Sequence, residues 1–75
     1  KIQAINNLLE ILVSLEDKPY HFDAGFLNQL TYTNISHPLQ ITTYNLLKEL
    51  LRRKNVHCFL KLFYDAGILH QLFLN

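Results

Sequence analysis

The stretch Asp23-Ala24-Gly25-Phe26-Leu27-Asn28-Gln29-Leu30 returns as Asp65-Ala66-Gly67-Ile68-Leu69-His70-Gln71-Leu72, identical at six of eight positions at an offset of 65 − 23 = 42. A duplication inside 75 residues leaves few folds open. Periods of ~40–47 residues are those of stacked helical units, each burying its apolar face against the next. Composition agrees: 49% of the residues are hydrophobic and 17% charged. That is apolar for a small domain, whose surface is large for its volume. The excess fits an interior slice of a longer array with an apolar face at each end.

The local pattern is helical throughout. Ile2, Ile5, Leu8, Leu9, Leu12 and Leu15 recur at steps of three and four, which predicts a helix over 2–16. Asp17-Lys18-Pro19 ends it. A helical turn over Tyr20–Ala24 leads to Gly25, read as a sharp turn at positive φ, and a second helix runs from Phe26 to about Thr33. After the polar stretch Thr31–His37, Pro38 fits the first position of the longest helix, with His37 or Ser36 as its cap. Leu39, Ile41, Tyr44, Leu47, Leu50 and Leu51 are its expected apolar face. Arg52-Arg53-Lys54 would close it by opposing the helix dipole. Asn55 breaks that helix, Val56–Ala66 is helical again, Gly67 turns, and Ile68 opens the last helix. The fold class is all-α, with about five to six helices.

Two alignments of the long helices compete. An offset of 39 pairs Ile5, Leu8, Ile11 and Leu12 with Tyr44, Leu47, Leu50 and Leu51, and brings Asn6 onto Asn45 and Glu10 onto Glu49. An offset of 38 matches Asn7-Leu8-Leu9 to Asn45-Leu46-Leu47. The first is preferred, because it aligns the expected buried faces.

The two Asp-Ala-Gly segments, with His37-Pro38-Leu39-Gln40-Ile41 leading into Thr43–Leu51, resemble the armadillo repeat family. The resemblance implies a right-handed α-solenoid of helix triplets across residues 1–75. Residues 1–18 would be the third helix of one unit, 19–54 one complete unit, and 55–75 the first two helices of the next. It also implies a concave groove lined by third helices. The chain departs from the family there. The family's groove asparagine falls on Glu10 and Glu49, its tryptophan on Asn6 and Asn45, and the chain has no tryptophan. Recognition of the nuclear-import kind is not expected.

The i, i+4 pairs Asn6/Glu10 and Asn45/Glu49, with Arg53 one turn on, are the candidate partner-binding residues. They form either a slightly acidic groove or the ordinary polar face of two amphipathic helices. His21, His37, His57 and His70 lack zinc-ligand spacing, so no metal and no cofactor is expected. His57 and Cys58 point about 100° apart on a helix, away from a nucleophile–base bond. The chain is read as a non-enzyme. Arg52-Arg53-Lys54, with Lys48, is the basic cluster, and a net charge of +1 argues against nucleic acid. The apolar stretch 56–73 is broken by Lys61 and Asp65 and will not span a membrane. A single cysteine fits a reducing compartment, cytoplasmic or nuclear. The expected function is a protein–protein interaction scaffold. The alternatives are a helical bundle that self-associates through apolar ends or docks a partner helix, and, resting on 48–54, a nucleic-acid-binding repeat.

Overall fold

The computed structural model describes residues 4–30, 35 and 38–73. These hold five helices and no strand: α1 (Ile5–Val13), α2 (Ala24–Gln29), α3 (Ile41–Leu51), α4 (Val56–Asp65) and α5 (Leu69–Phe73). The expected helix start at Ile2, the turn from Thr31, and the caps at Ser36 and His37 lie outside the described residues.

α1 buries Ile5, Leu8, Leu9 and Leu12, the periodic residues of the sequence. It stops at Val13, three residues before the predicted end. Ser14 folds its hydroxyl back onto the Ile11 carbonyl at 2.6 Å, a local bond that competes with further helix. α3 begins at Ile41, so Pro38 is not its first residue. Gln40 is extended at ψ 154° and serves as the N-cap without a side-chain bond, while Leu39 packs against the core.

The buried face of α3 also differs from expectation. Ile41, Tyr44 and Leu51 are 78%, 55% and 43% exposed, and Thr43, Leu47 and Leu50 are buried. Thr43 tolerates burial because its hydroxyl donates to Asn6 Oδ1 on α1, and a buried hydroxyl needs such a partner. The apolar residues on the other side of α3 face outward. The offset of 39 therefore fails: it pairs buried Ile5 and Leu12 with exposed Tyr44 and Leu51. The offset of 38 pairs buried Ile5, Leu9 and Leu12 with buried Thr43, Leu47 and Leu50. α1 and α3 lie parallel in that register. Near their starts Asn6 meets Thr42 and Thr43; near their ends Arg53 reaches the carbonyls of Val13 and Leu15.

The two Asp-Ala-Gly copies fold in opposite senses. Asp23 is an N-cap, its Oδ1 accepting from the Phe26 N–H at 2.9 Å, and Gly25 sits inside the first turn of α2. Gly25 is thus not a turn at positive φ, and Tyr20–Asp23 carry no helix. In the second copy Asp65 ends α4 and pairs with Lys61 at 2.7 Å. Gly67 follows at φ 76°, with its N–H on the Tyr64 carbonyl and the Ile68 N–H on the Phe63 carbonyl. Those two bonds, with buried Phe63 and Ile68 beside them, make a Schellman cap. The difference lies upstream. Five residues separate Pro19 from Gly25, scarcely more than one helical turn. The second copy has the extra residues to complete α4 first.

Phe59, Leu62 and Phe63 of α4 fill the core with Leu8, Leu9, Leu12, Leu30 and Leu50. Phe22 stacks on Phe26 at 5.4 Å between ring centroids and lies 6.4 Å from Phe59. That cluster is what the extended Tyr20–Asp23 segment contributes. Tyr64, by contrast, is 73% exposed.

Candidate interaction surface

The joint between α1 and α3 is held by side chains that bind main chain. The last carbonyls of a helix have no partner within it, and those of α1 at Val13, with Leu15 just beyond, accept from the Arg53 guanidinium. A cation there also opposes the negative end of the α1 dipole. Arg53 therefore serves α1 rather than its own helix, and its donors are engaged inside the joint. In the other direction, the Asp17 carboxylate accepts the N–H groups of Lys54 and Asn55 at 3.1 and 3.0 Å, at the start of α4. Asn55 is buried and donates its Nδ2 to the Lys18 carbonyl at 2.6 Å, while its Oδ1 has no partner.

Asn6 is likewise engaged, with its amide nitrogen on Thr42 Oγ1 at 3.1 Å and its oxygen accepting from Thr43. Glu10, Asn45 and Glu49 are exposed. In the 38-residue register the residues facing outward side by side are Asn7 with Asn45, Glu10 with Lys48, and Ser14 with Arg52, all exposed. The ladder predicted from Asn6/Glu10 and Asn45/Glu49 is thus displaced by one residue on one helix. The strip carries an acidic position on α1 and basic positions on α3, with Glu49 at its edge. Lys48 lies over the Tyr44 ring, 5.2 Å from the centroid.

A second feature is a pocket of about 240 Å³ whose lining includes Tyr20, His21, His57, Cys58, Lys61 and Asp65. His57 and Cys58 do meet here: the imidazole Nε2 lies 3.5 Å from Sγ. The sulfur also accepts the Tyr20 N–H at 3.3 Å, and Cys58 is 8% exposed. The thiol is a packed partner for the extended segment. Among the described residues, no group of three or more His, Cys, Asp or Glu is placed to hold a metal ion. No helix among them is long and apolar enough to cross a membrane.

Sequence reasoning missed Asp17 and Asn55, the two side chains that tie residues 15–18 to the start of α4. Their signal was present as Asp and Asn flanking helix boundaries, but their partners lie 37 and 38 residues away. Comparison of the chain with protein families, with curated proteins and with solved structures gives no match.

Proposed function

We propose that this chain is a non-catalytic protein–protein interaction scaffold, built as an armadillo-like α-solenoid segment. The single observation that supports this reading is the parallel docking of α1 on α3 in one 38-residue register, each helix burying the same face. Repeated helices in that arrangement present their outward strips side by side, as repeat scaffolds do. The binding strip is Asn7, Glu10, Asn45, Lys48 and Arg52, with Glu49 beside it. Its mixed charge suits an extended peptide segment bearing both signs. The nucleic-acid reading loses support, because Arg53 is taken up by α1 and leaves Lys48, Arg52 and Lys54 as the outward cations of that cluster, beside Glu10 and Glu49.

The test is selection from a displayed peptide library. Peptides selected on the native chain are expected to lose at least tenfold in affinity against the Glu10→Lys, Lys48→Glu double variant. They should bind normally to Lys61→Glu, which changes a charge on α4. Peptides indifferent to the first variant, or equally sensitive to the second, would remove the strip as the binding surface.

A further inference from the structure

The joint between α1 and α3 uses one flank of each helix. On α1 it is the flank through Asn6 and Val13; on α3 it is the flank of Thr42 and Leu46, continued past the helix end to Arg53, with exposed Glu49 at its rim. Each helix has an opposite flank, and the register names its residues. The α3 equivalents of Asn6 and Val13 are 6 + 38 and 13 + 38, Tyr44 and Leu51. The α1 equivalents of Thr42, Leu46, Glu49 and Arg53 are 42 − 38, 46 − 38, 49 − 38 and 53 − 38, that is Ala4, Leu8, Ile11 and Leu15, of which Leu8 is buried in the core.

The chemistry of these two sets is opposite. Across the joint the bonding positions are polar, Asn6, Thr42 and Arg53, beside the packed side chains of Val13 and Leu46. At the open ends the same positions are apolar. Tyr44 and Leu51 are 55% and 43% exposed and adjoin Leu39 and Phe73 in a groove of about 340 Å³. Ile11 is 44% exposed and, with Leu15, borders a groove toward Phe22 and Phe26. A repeat surface that faces water is ordinarily polar. These two flanks are apolar.

We propose that the Tyr44/Leu51 flank of α3 binds the Ala4/Ile11/Leu15 flank of α1 from a second copy of this chain, head to tail. The incoming α1 lies parallel to α3 in the same 38-residue register. The proposal rests on the repeat reading above and gives the two open flanks an occupant. Geometry favours a second copy because its α1 presents the complement of the open flank at matching spacing. The joint between copies lacks the Arg53 clamp, since Leu15 takes that place. It is therefore the weaker of the two and depends on concentration. Head-to-tail contact through two different surfaces leaves one of each open at every stage, so growth is open-ended rather than closing at a dimer.

Sedimentation of the whole chain over a range of concentrations tests this. The native chain is expected to form a ladder of dimer, trimer and larger species as concentration rises. Leu51→Glu and Ile11→Glu each block one flank and should sediment as monomers, while keeping helical circular dichroism because both sites are exposed. Mixed in equal amounts, the two variants should recover a dimer and stop there, since each retains the flank the other lacks. A native chain monomeric at every concentration would overturn the proposal. So would an Ile11→Glu variant that still dimerises alone, which marks a symmetric contact through α3. The internal joint is read separately, by proximity labelling between residues 6 and 42 in the monomeric variants. Its failure would sink the repeat reading, whereas its presence without a ladder would sink the head-to-tail contact alone.

Discussion

Gly25 and Gly67 occupy the same place in a duplicated octapeptide and answer to different physics. Gly67 needs its left-handed backbone, φ 76°, although nothing lies within 4 Å of a Cβ added there. Its replacement is therefore costly through conformation alone: Gly67→Ala is expected to lose about 1–2 kcal/mol. Gly25 lies in a right-handed helical turn, where an added Cβ would meet Asp23 Oδ1 at an ordinary 3.5 Å. Gly25→Ala should leave stability unchanged or raise it by up to about 1 kcal/mol, because alanine is the better helix former. Thermal melts of the two variants check both, and shifts of the same sign would show that the two turns are alike. Arg53 belongs at this scale too. Arg53→Ala is expected to lose about 1.5–3 kcal/mol, the range for hydrogen bonds to a charged group. Arg53→Lys should recover less than half, because an ammonium lacks the planar fork that reaches two carbonyls.

Among the elements, α1 and α4 depend on each other's ends. Arg53, just before α4, holds the C-terminus of α1, and Asp17, just after α1, holds the N–H groups that open α4. Asp17→Ala leaves those two amides without their carboxylate. Amide hydrogen exchange should then accelerate at Lys54 and Asn55 and also at Leu15, while α5 keeps its protection. Exchange raised at Lys54 and Asn55 alone would mean that the two ends are independent. The sequence foretold these elements unevenly. α4 was legible to within one residue, because Val56, Phe59, Leu60 and Phe63 are apolar at helical spacing and Gly67 marks the stop. α3 was legible as a helix but not in its facing. Ile41, Tyr44 and Leu51 are apolar and Thr43 is not, so periodicity alone rotates the buried face the wrong way. What reverses it is Asn6, which satisfies the Thr43 hydroxyl from another helix. That one-residue error is what displaced the predicted polar ladder. The extended Tyr20–Asp23 segment was hidden for a related reason. Its Phe22 ring finds Phe59 and its Tyr20 N–H finds the Cys58 sulfur, both far away in sequence.

For the whole molecule, the radius of gyration is 11.4 Å, against about 11 Å for a globular chain of this length. A chain of 75 residues carries total stability on the order of 4–11 kcal/mol at ordinary values per residue. Phe59 is 1% exposed and touches both the leucine core and the aromatic cluster. Phe59→Ala, at about 3–5 kcal/mol, is therefore expected to unfold much of the population at 37 °C. Near-native ellipticity in that variant would mean that the core is divided rather than shared. The all-α class could be read from 75 residues, since it follows from spacing within short windows. The pairing of α1 with α3 could not, because it is fixed by contacts between distant residues.

The clamps at the α1–α3 joint have one more consequence. Arg53 and Asp17 grip carbonyl and amide groups, which every residue except proline supplies in full. Their hold is on the path of the neighbouring chain and not on its side chains. Positions such as Val13 and Lys54 can drift without loosening these bonds, provided the backbone keeps its course. A seam of this kind is indifferent to the identity of what it joins, and the segments on either side of it are free to diverge in sequence while keeping their spacing.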